Sequence, residues 1–187
     1  MREEKTNVMR LLEQKKVPYT PHQYAHSEGE AVDGATVAGL VGKAPAAVFK
    51  TLVTRGAAKA NYVFVIPVLA ELDLKKAAKA VGEKSIEMIP VKELTPLTGY
   101  IRGGCSPLGM KKRLRTVLDS SARAQAAIVV SAGKIGYQVE LSPQDLAGLA
   151  EAPRRLESYD ISHTAGQDMV ASMVVFADGR PLKRDYR

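Results

Sequence analysis

Apolar residues recur at helical spacing from the start of the chain, where Val8, Met9, Leu11 and Leu12 fall on one side of a helix over residues 5–16. Pro18 stops that helix, since a proline lacks the N–H the ladder needs. Residues 19–24 read as a short strand of edge type, because Pro21 interrupts it. Ala35, Val37, Ala38 and Val41 predict a second helix, closed by Gly42. Over residues 48–54 the period changes to two: Val48, Lys50, Leu52 and Thr54 share one face, with Phe49, Thr51 and Val53 on the other. Residues 62–68 are dense in β-branched and aromatic side chains and predict a buried strand ending near Pro67.

Asp73 is placed to cap a helix running through Val81, and Gly82 to end it in the left-handed conformation that glycine adopts cheaply. Shorter strands are predicted at 86–89, 99–102, 115–118, 126–130 and 137–141. Ser142 and Asp145 then form a capping-box pattern for a last helix. Strands and helices are interleaved at hairpin-like spacings, which predicts a mixed α+β sheet. After about Pro153 the pattern changes. Residues 158–169 are polar and aperiodic, and 170–176 could form a strand leading into an Asp178-Gly179 turn. The chain thus divides into a domain over 1–157 and an extension over 158–187 whose role is open.

Composition narrows the class. The 187 residues, 45% apolar and 25% charged, suffice for one well-buried domain. The first residues are charged, and every apolar run stops short of the roughly 18 to 20 residues a membrane helix requires, so a soluble, cytoplasmic protein is expected. A single cysteine, Cys105, excludes a disulfide framework and any multi-cysteine zinc site. The net charge of +7 favours acidic partners, though a merely solvated basic surface has the same composition.

Candidate chemistry is sparse. His22 and His26 are four apart, but Pro21 favours an extended segment that would separate them by about 13 Å, so no metal site is expected. Cys105 is open to two readings, a thiolate nucleophile or a small buried hydrophobe. There is no Walker pattern, no GxGxxG and no GxSxG. Gly103-Gly104-Cys105-Ser106-Pro107-Leu108-Gly109, followed by Lys111, Lys112 and Arg113, could let a phosphate or ribose approach exposed N–H groups, or could be an ordinary tight turn. Lys50 lies among apolar strand positions and either snorkels at an edge or points its ammonium into a cavity.

Three stretches together resemble one family. They are Val48-Phe49-Lys50-Thr51-Leu52, then Leu72-Asp73-Leu74-Lys75-Lys76-Ala77-Ala78-Lys79-Ala80, then Thr98-Gly99-Tyr100-Ile101-Arg102 running into the glycine-proline segment. They look like the YbaK family of Cys-tRNA(Pro) deacylases, related to the editing domain of some prolyl-tRNA synthetases. His22-Gln23-Tyr24-Ala25-His26 and Val130-Ser131-Ala132-Gly133-Lys134-Ile135-Gly136 agree in order and spacing, so the resemblance covers roughly residues 5–156.

The resemblance implies a single α+β domain with a mixed, partly barrel-like sheet surrounded by helices, and no cofactor. It implies hydrolysis of the ester in mischarged Cys-tRNA(Pro), and of Cys-tRNA(Cys), with the substrate's own thiol attacking its ester carbonyl. Lys50 matches the family's essential lysine. Tyr24, Thr51, Gly104 and Ser131 match pocket positions, and Gly103, Ser106 and Gly133 join the candidate substrate-binding set. Lys75, Lys76, Lys79, Lys111, Lys112 and Arg113 are candidate tRNA contacts, and prolyl-tRNA synthetase is the implied transient partner. Four departures stand out: Cys105 where relatives commonly have an aliphatic residue, Ala132 in place of the first glycine of a Ser-Gly-Gly-Lys run, Gln138 where some carry an acid, and Val32 and Asp33 near a position expected to be aromatic. Deacylation of another small aminoacyl-tRNA such as Ala-tRNA(Pro), or a non-catalytic tRNA- or synthetase-binding module, are the alternatives.

Overall fold

A computed structural model of the chain describes residues 4–27 and 31–150, together with the backbone of 155–159, 173–177 and 180–181. The chain opens with α1 (Asn7–Gln14), whose Val8, Met9 and Leu12 are buried at the expected spacing, with the Thr6 hydroxyl accepting from the Met9 N–H. The strand β1 (Thr20–Gln23) follows, then α2 (Gly34–Leu40), capped by the Asp33 carboxylate.

The next elements build the larger sheet. The antiparallel pair β2 (Phe49–Gly56) and β3 (Asn61–Pro67) is joined by α3 (Leu74–Val81) to β4 (Ile86–Met88), then α4 (Val91–Thr98) and β5 (Arg115–Leu118). Its strand order is β4-β2-β3-β5, with β3 and β5 parallel. The second sheet, β1-β7-β6, is antiparallel and uses β6 (Ile128–Ser131) and β7 (Tyr137–Leu141). The last described helix, α5 (Pro143–Leu149), carries the expected capping box, with Ser142 Oγ accepting from the Asp145 N–H at 3.0 Å. The mixed α+β sheet is therefore present as two sheets. They meet at one parallel bridge, Val48 to Val129, and do not close into a barrel.

Alternation along β2 sorts its side chains as expected. Phe49 and Val53 enter the main core with Val63 and Val65, between the two sheets and α1. Leu52 packs with Phe64 and Ile66 on the other face, against Ala77, Ala78 and Val81 of α3. Asp73 caps α3 through the Lys75 and Lys76 N–H groups, and Gly82 ends it at φ +76°.

One predicted element is overturned. Residues 99–102 form no strand: Gly99, at φ +82°, closes α4, a helix that sequence periodicity did not reveal. Pro90 before it and Pro96 inside it erase the usual helical signature. Toward the C-terminus, β8 (Arg155–Tyr159), β9 (Met173–Ala177) and β10 (Arg180–Pro181) form a third antiparallel sheet, in the order β10-β9-β8. β9 overlaps the predicted strand at 170–176, and β8 spans the boundary placed at 157. The predicted Asp178-Gly179 turn and most of the polar stretch at 158–169 lie outside the described residues.

Candidate functional site

A cavity of ≈ 210 Å³ opens where the two sheets separate, beside the first half of β2. Its place follows from pairing. β4 pairs with β2 from Thr54 on, the Ile89 N–H after it reaches the Val53 carbonyl, and β6 meets β2 at the Val48 bridge, so residues 50–52 have a neighbour strand on one side, β3. Lys50 and Thr51 face opposite sides of the sheet, yet both line the cavity, because it wraps around this open edge. Hydrogen-bonded pairs alternate along an antiparallel ladder. The Val68 N–H to Val48 C=O and Gly56 N–H to Ala60 C=O bonds assign the even-numbered residues of β2 to those pairs. Thr51 therefore turns its own N–H and C=O away from β3, to the open edge.

The α2 segment supplies a second wall through Val32, Gly34 and Val37. Gly34 is needed there, since a Cβ would lie 2.5 Å from Val68 Cγ1 and push the helix off the strand. Tyr24 comes from the end of β1, and Ser131 and Gln138 come from the second sheet. Arg102, Gly103 and Cys105 come from the glycine-proline segment.

Lys50 is half-buried, and its ammonium donates to the Val68 carbonyl at 3.1 Å. Burial lowers its pKa below the ordinary lysine value, and the charge of Glu71 partly opposes that. An ammonium has three donors, so two remain for a ligand. Thr51 Oγ1 is buried with no hydrogen-bond partner, which leaves its donor and acceptor capacity unused. Gln138 is 5% exposed, so its amide is held at the cavity and not in solvent. The Cys105 thiol is pushed up to about 12 by burial, against a smaller lowering contact from Thr98. It packs on the core while also lining the cavity, surroundings that disfavour a thiolate. Among the described residues, no His, Asp or Glu lines the cavity.

The structure sorts the sequence-derived candidates. Tyr24, Lys50, Thr51, Gly103 and Ser131 come together at the cavity. Gly104, Ser106 and Gly133 do not line it and support it from behind. Gly104 packs against the backbone at Lys134 and Ile135, where a Cβ would come 3.1 Å from Ile135 N. Ser106 is fully buried and its hydroxyl accepts from the Leu108 N–H. Gly133 donates to Ser131 Oγ and lies against the Tyr100 ring. Of the basic candidates, Lys112 and Arg113 line a separate depression with Leu11, Met110 and Leu149. Lys75, Lys76 and Lys79 lie on α3, and neither they nor Lys111 line the cavity. Arg102 also lines the cavity, a site residue that its place in the glycine-proline motif did not reveal.

The two histidines have structural partners. His22 Nε2 is 2.8 Å from Glu140 Oε2, whose other oxygen accepts from Lys43, and His26 Nε2 is 2.9 Å from the Ile135 carbonyl. No group of three His, Cys, Asp or Glu residues that could hold a metal occurs among the described residues.

With this geometry in place, comparison with known proteins is informative. A family model for the aminoacyl-tRNA editing domain matches residues 28–149. The candidate Cys-tRNA(Pro)/Cys-tRNA(Cys) deacylase EbsC of Enterococcus faecalis is 50% identical over 147 residues, 79% of this chain and 89% of that protein. A crystal structure of a candidate trans-editing enzyme for prolyl-tRNA synthetase superposes with a TM-score of 0.70 at 23% identity, covering 84% of this chain and 95% of that one. A second family model, the UvrC RNase H endonuclease domain, matches residues 144–187. Over 46 residues the chain is 63% identical to the UvrABC system protein C of a Mycobacterium species, which is 25% of this chain and 7% of that protein.

Proposed function

Because the chain belongs to the aminoacyl-tRNA editing domain family, we propose that it hydrolyses mischarged Cys-tRNA(Pro), and Cys-tRNA(Cys), in trans. The observation that carries this reading is the half-buried Lys50 in a small cavity lined by no His, Asp or Glu among the described residues. Such a cavity can bind and polarise an ester, but among the described residues it offers no carboxylate or imidazole to activate water or a protein nucleophile. The chemistry is complete if the nucleophile arrives with the substrate.

In that reaction the cysteinyl thiol attacks its own ester carbonyl carbon. A carbon–sulfur bond forms, the carbon–oxygen bond to the ribose breaks, and the thiol proton ends on the departing ribose hydroxyl. The tRNA leaves, and water later opens the cyclic thioester to cysteine. Lys50 donates to the ester carbonyl oxygen, or to the adjoining ribose, as negative charge develops. The edge-facing N–H and orphaned hydroxyl of Thr51 are available to the same group, and Tyr24, Ser131 and Gln138 shape the room for the side chain. Holding thiol and carbonyl together makes the step intramolecular, which is where most of the acceleration arises.

An amino acid that differs from the correct one by little volume cannot be rejected strongly by one pocket, so a second, hydrolytic site is the general remedy. A cavity this small encloses only the charged end of a tRNA. Prolyl-tRNA synthetase, as a transient partner, would supply the tRNA identity, and the cytoplasm is where the two would meet. The editing domain would end near residue 150, with β8 belonging to the C-terminal segment.

The test is hydrolysis of Cys-tRNA(Pro) and Ala-tRNA(Pro) by wild type and Lys50→Ala, with and without the synthetase. The expected result is cysteine-selective release that Lys50→Ala slows by about 10²- to 10³-fold, with an unchanged circular dichroism spectrum. Preferred release of alanine would move the substrate to another small aminoacyl-tRNA. Binding without release would make the chain a tRNA-binding module.

A further inference from the structure

Arg102 is the second cation lining the cavity besides Lys50, and its setting differs. The Gly104 N–H bonds the Ile101 carbonyl at 3.1 Å, closing a four-residue turn with Arg102 and Gly103 at its corners. Gly103 has φ +84°, and Arg102 is not among the residues of positive φ, so the turn is type II. That turn is fixed from below, where a Cβ on Gly103 would meet Ala31 Cβ at 2.8 Å and Gly104 abuts the Ile135 backbone. Its backbone is therefore tightly placed, while the Arg102 side chain is exposed and has no hydrogen bond or ion pair among the described residues. Ile101, beside it, is 53% exposed, an apolar surface next to the guanidinium.

We propose that Arg102 is the residue that binds the phosphodiester joining the terminal nucleotide of the aminoacyl-tRNA to the one before it. This deepens the deacylase reading and rests on it. With the ester carbonyl at Lys50, the ribose lies toward the cavity mouth and its 5′ phosphate outside. A guanidinium carried on that tightly placed turn offers planar, paired donors to phosphate oxygens. The basic run at Lys112 and Arg113 lines another depression, so it does not compete for this position. Arg102 is thus a positioning residue: it registers the 3′ end so that the ester reaches Lys50, and it takes no part in bond making.

The experiment compares wild type, Arg102→Ala and Arg102→Lys on two substrates: Cys-tRNA(Pro), and the cysteinyl ester of adenosine, which has no phosphate. Arg102→Ala is expected to raise KM for Cys-tRNA(Pro) about tenfold, the loss of one charge-assisted contact, with kcat within about twofold of wild type. Arg102→Lys recovers part of that loss. The dependence of log(kcat/KM) on log salt becomes shallower by about 0.7, one single-strand phosphate contact. On the adenosine ester, Arg102→Ala equals wild type. A kcat loss, an equal loss on both substrates, or no change on the tRNA overturns the proposal. If wild type cleaves neither ester, the deacylase reading fails by itself. Arg102 is then judged on binding of a single-stranded oligonucleotide ending in CCA: weaker binding and a shallower salt slope for Arg102→Ala sustain it, and equal affinities overturn it.

Discussion

A lysine among strand apolar positions is an anomaly that a sequence displays openly, and Lys50 is one of the two cations among the described residues lining the cavity. The residues around it were less legible, because a cavity wall is built by elements distant in sequence. Gln138 and Val32 drew notice only as departures from a family pattern, and both line the wall. Thr51 was carried over by resemblance, while its unpaired hydroxyl and edge-facing N–H follow only from the register of β2. Arg102 left no signal of its own, since one arginine in a motif rich in cations does not announce that it alone reaches the cavity. Burial lowers the pKa of Lys50 below 10.5. Deacylation is therefore expected to rise as the substrate thiol ionises and to fall again, on an alkaline limb below the ordinary lysine range, as Lys50 loses its charge. A pH–rate profile corrected for spontaneous ester hydrolysis checks this, and an alkaline limb absent in wild type would remove the charge of Lys50 from the reaction.

At the scale of elements, caps were the most readable signals, because each is a local bargain between a side chain and backbone groups left unpaired at a helix end. Asp73 and Ser142 do what their positions predicted. Helix α4 shows the opposite case: two prolines hide it, and the residues from its Gly99 cap onward, 99–102, read as a strand that does not form. The clamp of Glu140 could not be read at all, since it joins β7 to His22 of β1 and to Lys43 beyond α2. Burial acts to raise the Glu140 pKa, but the hydrogen bonds from Lys43 and His22 outweigh it and hold the carboxyl below its usual 4.5. A depressed carboxylate contributes stability that is present above the unfolded value and lost as pH falls through the folded one. Denaturant unfolding is expected to show stability dropping below about pH 4.5, with a smaller drop in Glu140→Gln, which is less stable at neutral pH. Parallel curves for the two proteins would contradict this.

At the scale of the whole molecule, a mixed α+β architecture followed from interleaved periods of 3.6 and two, but the site did not. The cavity exists because two sheets touch at a single bridge and then part, leaving half of β2 with an open edge. That depends on how the sheets stack, which no local pattern encodes. The C-terminal segment is a separate matter. Its similarity is to a short stretch of a much longer protein, and the editing-domain match ends at residue 149. A chain ending after Ala150 is expected to fold and to deacylate Cys-tRNA(Pro) with kcat/KM within about threefold of the full chain, since every described residue that lines the cavity precedes that point. Steady-state kinetics on both forms check it, and a large loss would tie the last strands to the reaction.

The central claim is that the reacting nucleophile belongs to the substrate. Single-turnover hydrolysis of Cys-tRNA(Pro) and Ser-tRNA(Pro), which differ by sulfur for oxygen at nearly constant shape, tests it most directly. Fast release of cysteine with serine left at close to the uncatalysed rate is the expected result. Comparable rates for both would contradict it, and would require a water or protein nucleophile for which the described residues of the cavity hold no carboxylate or imidazole base.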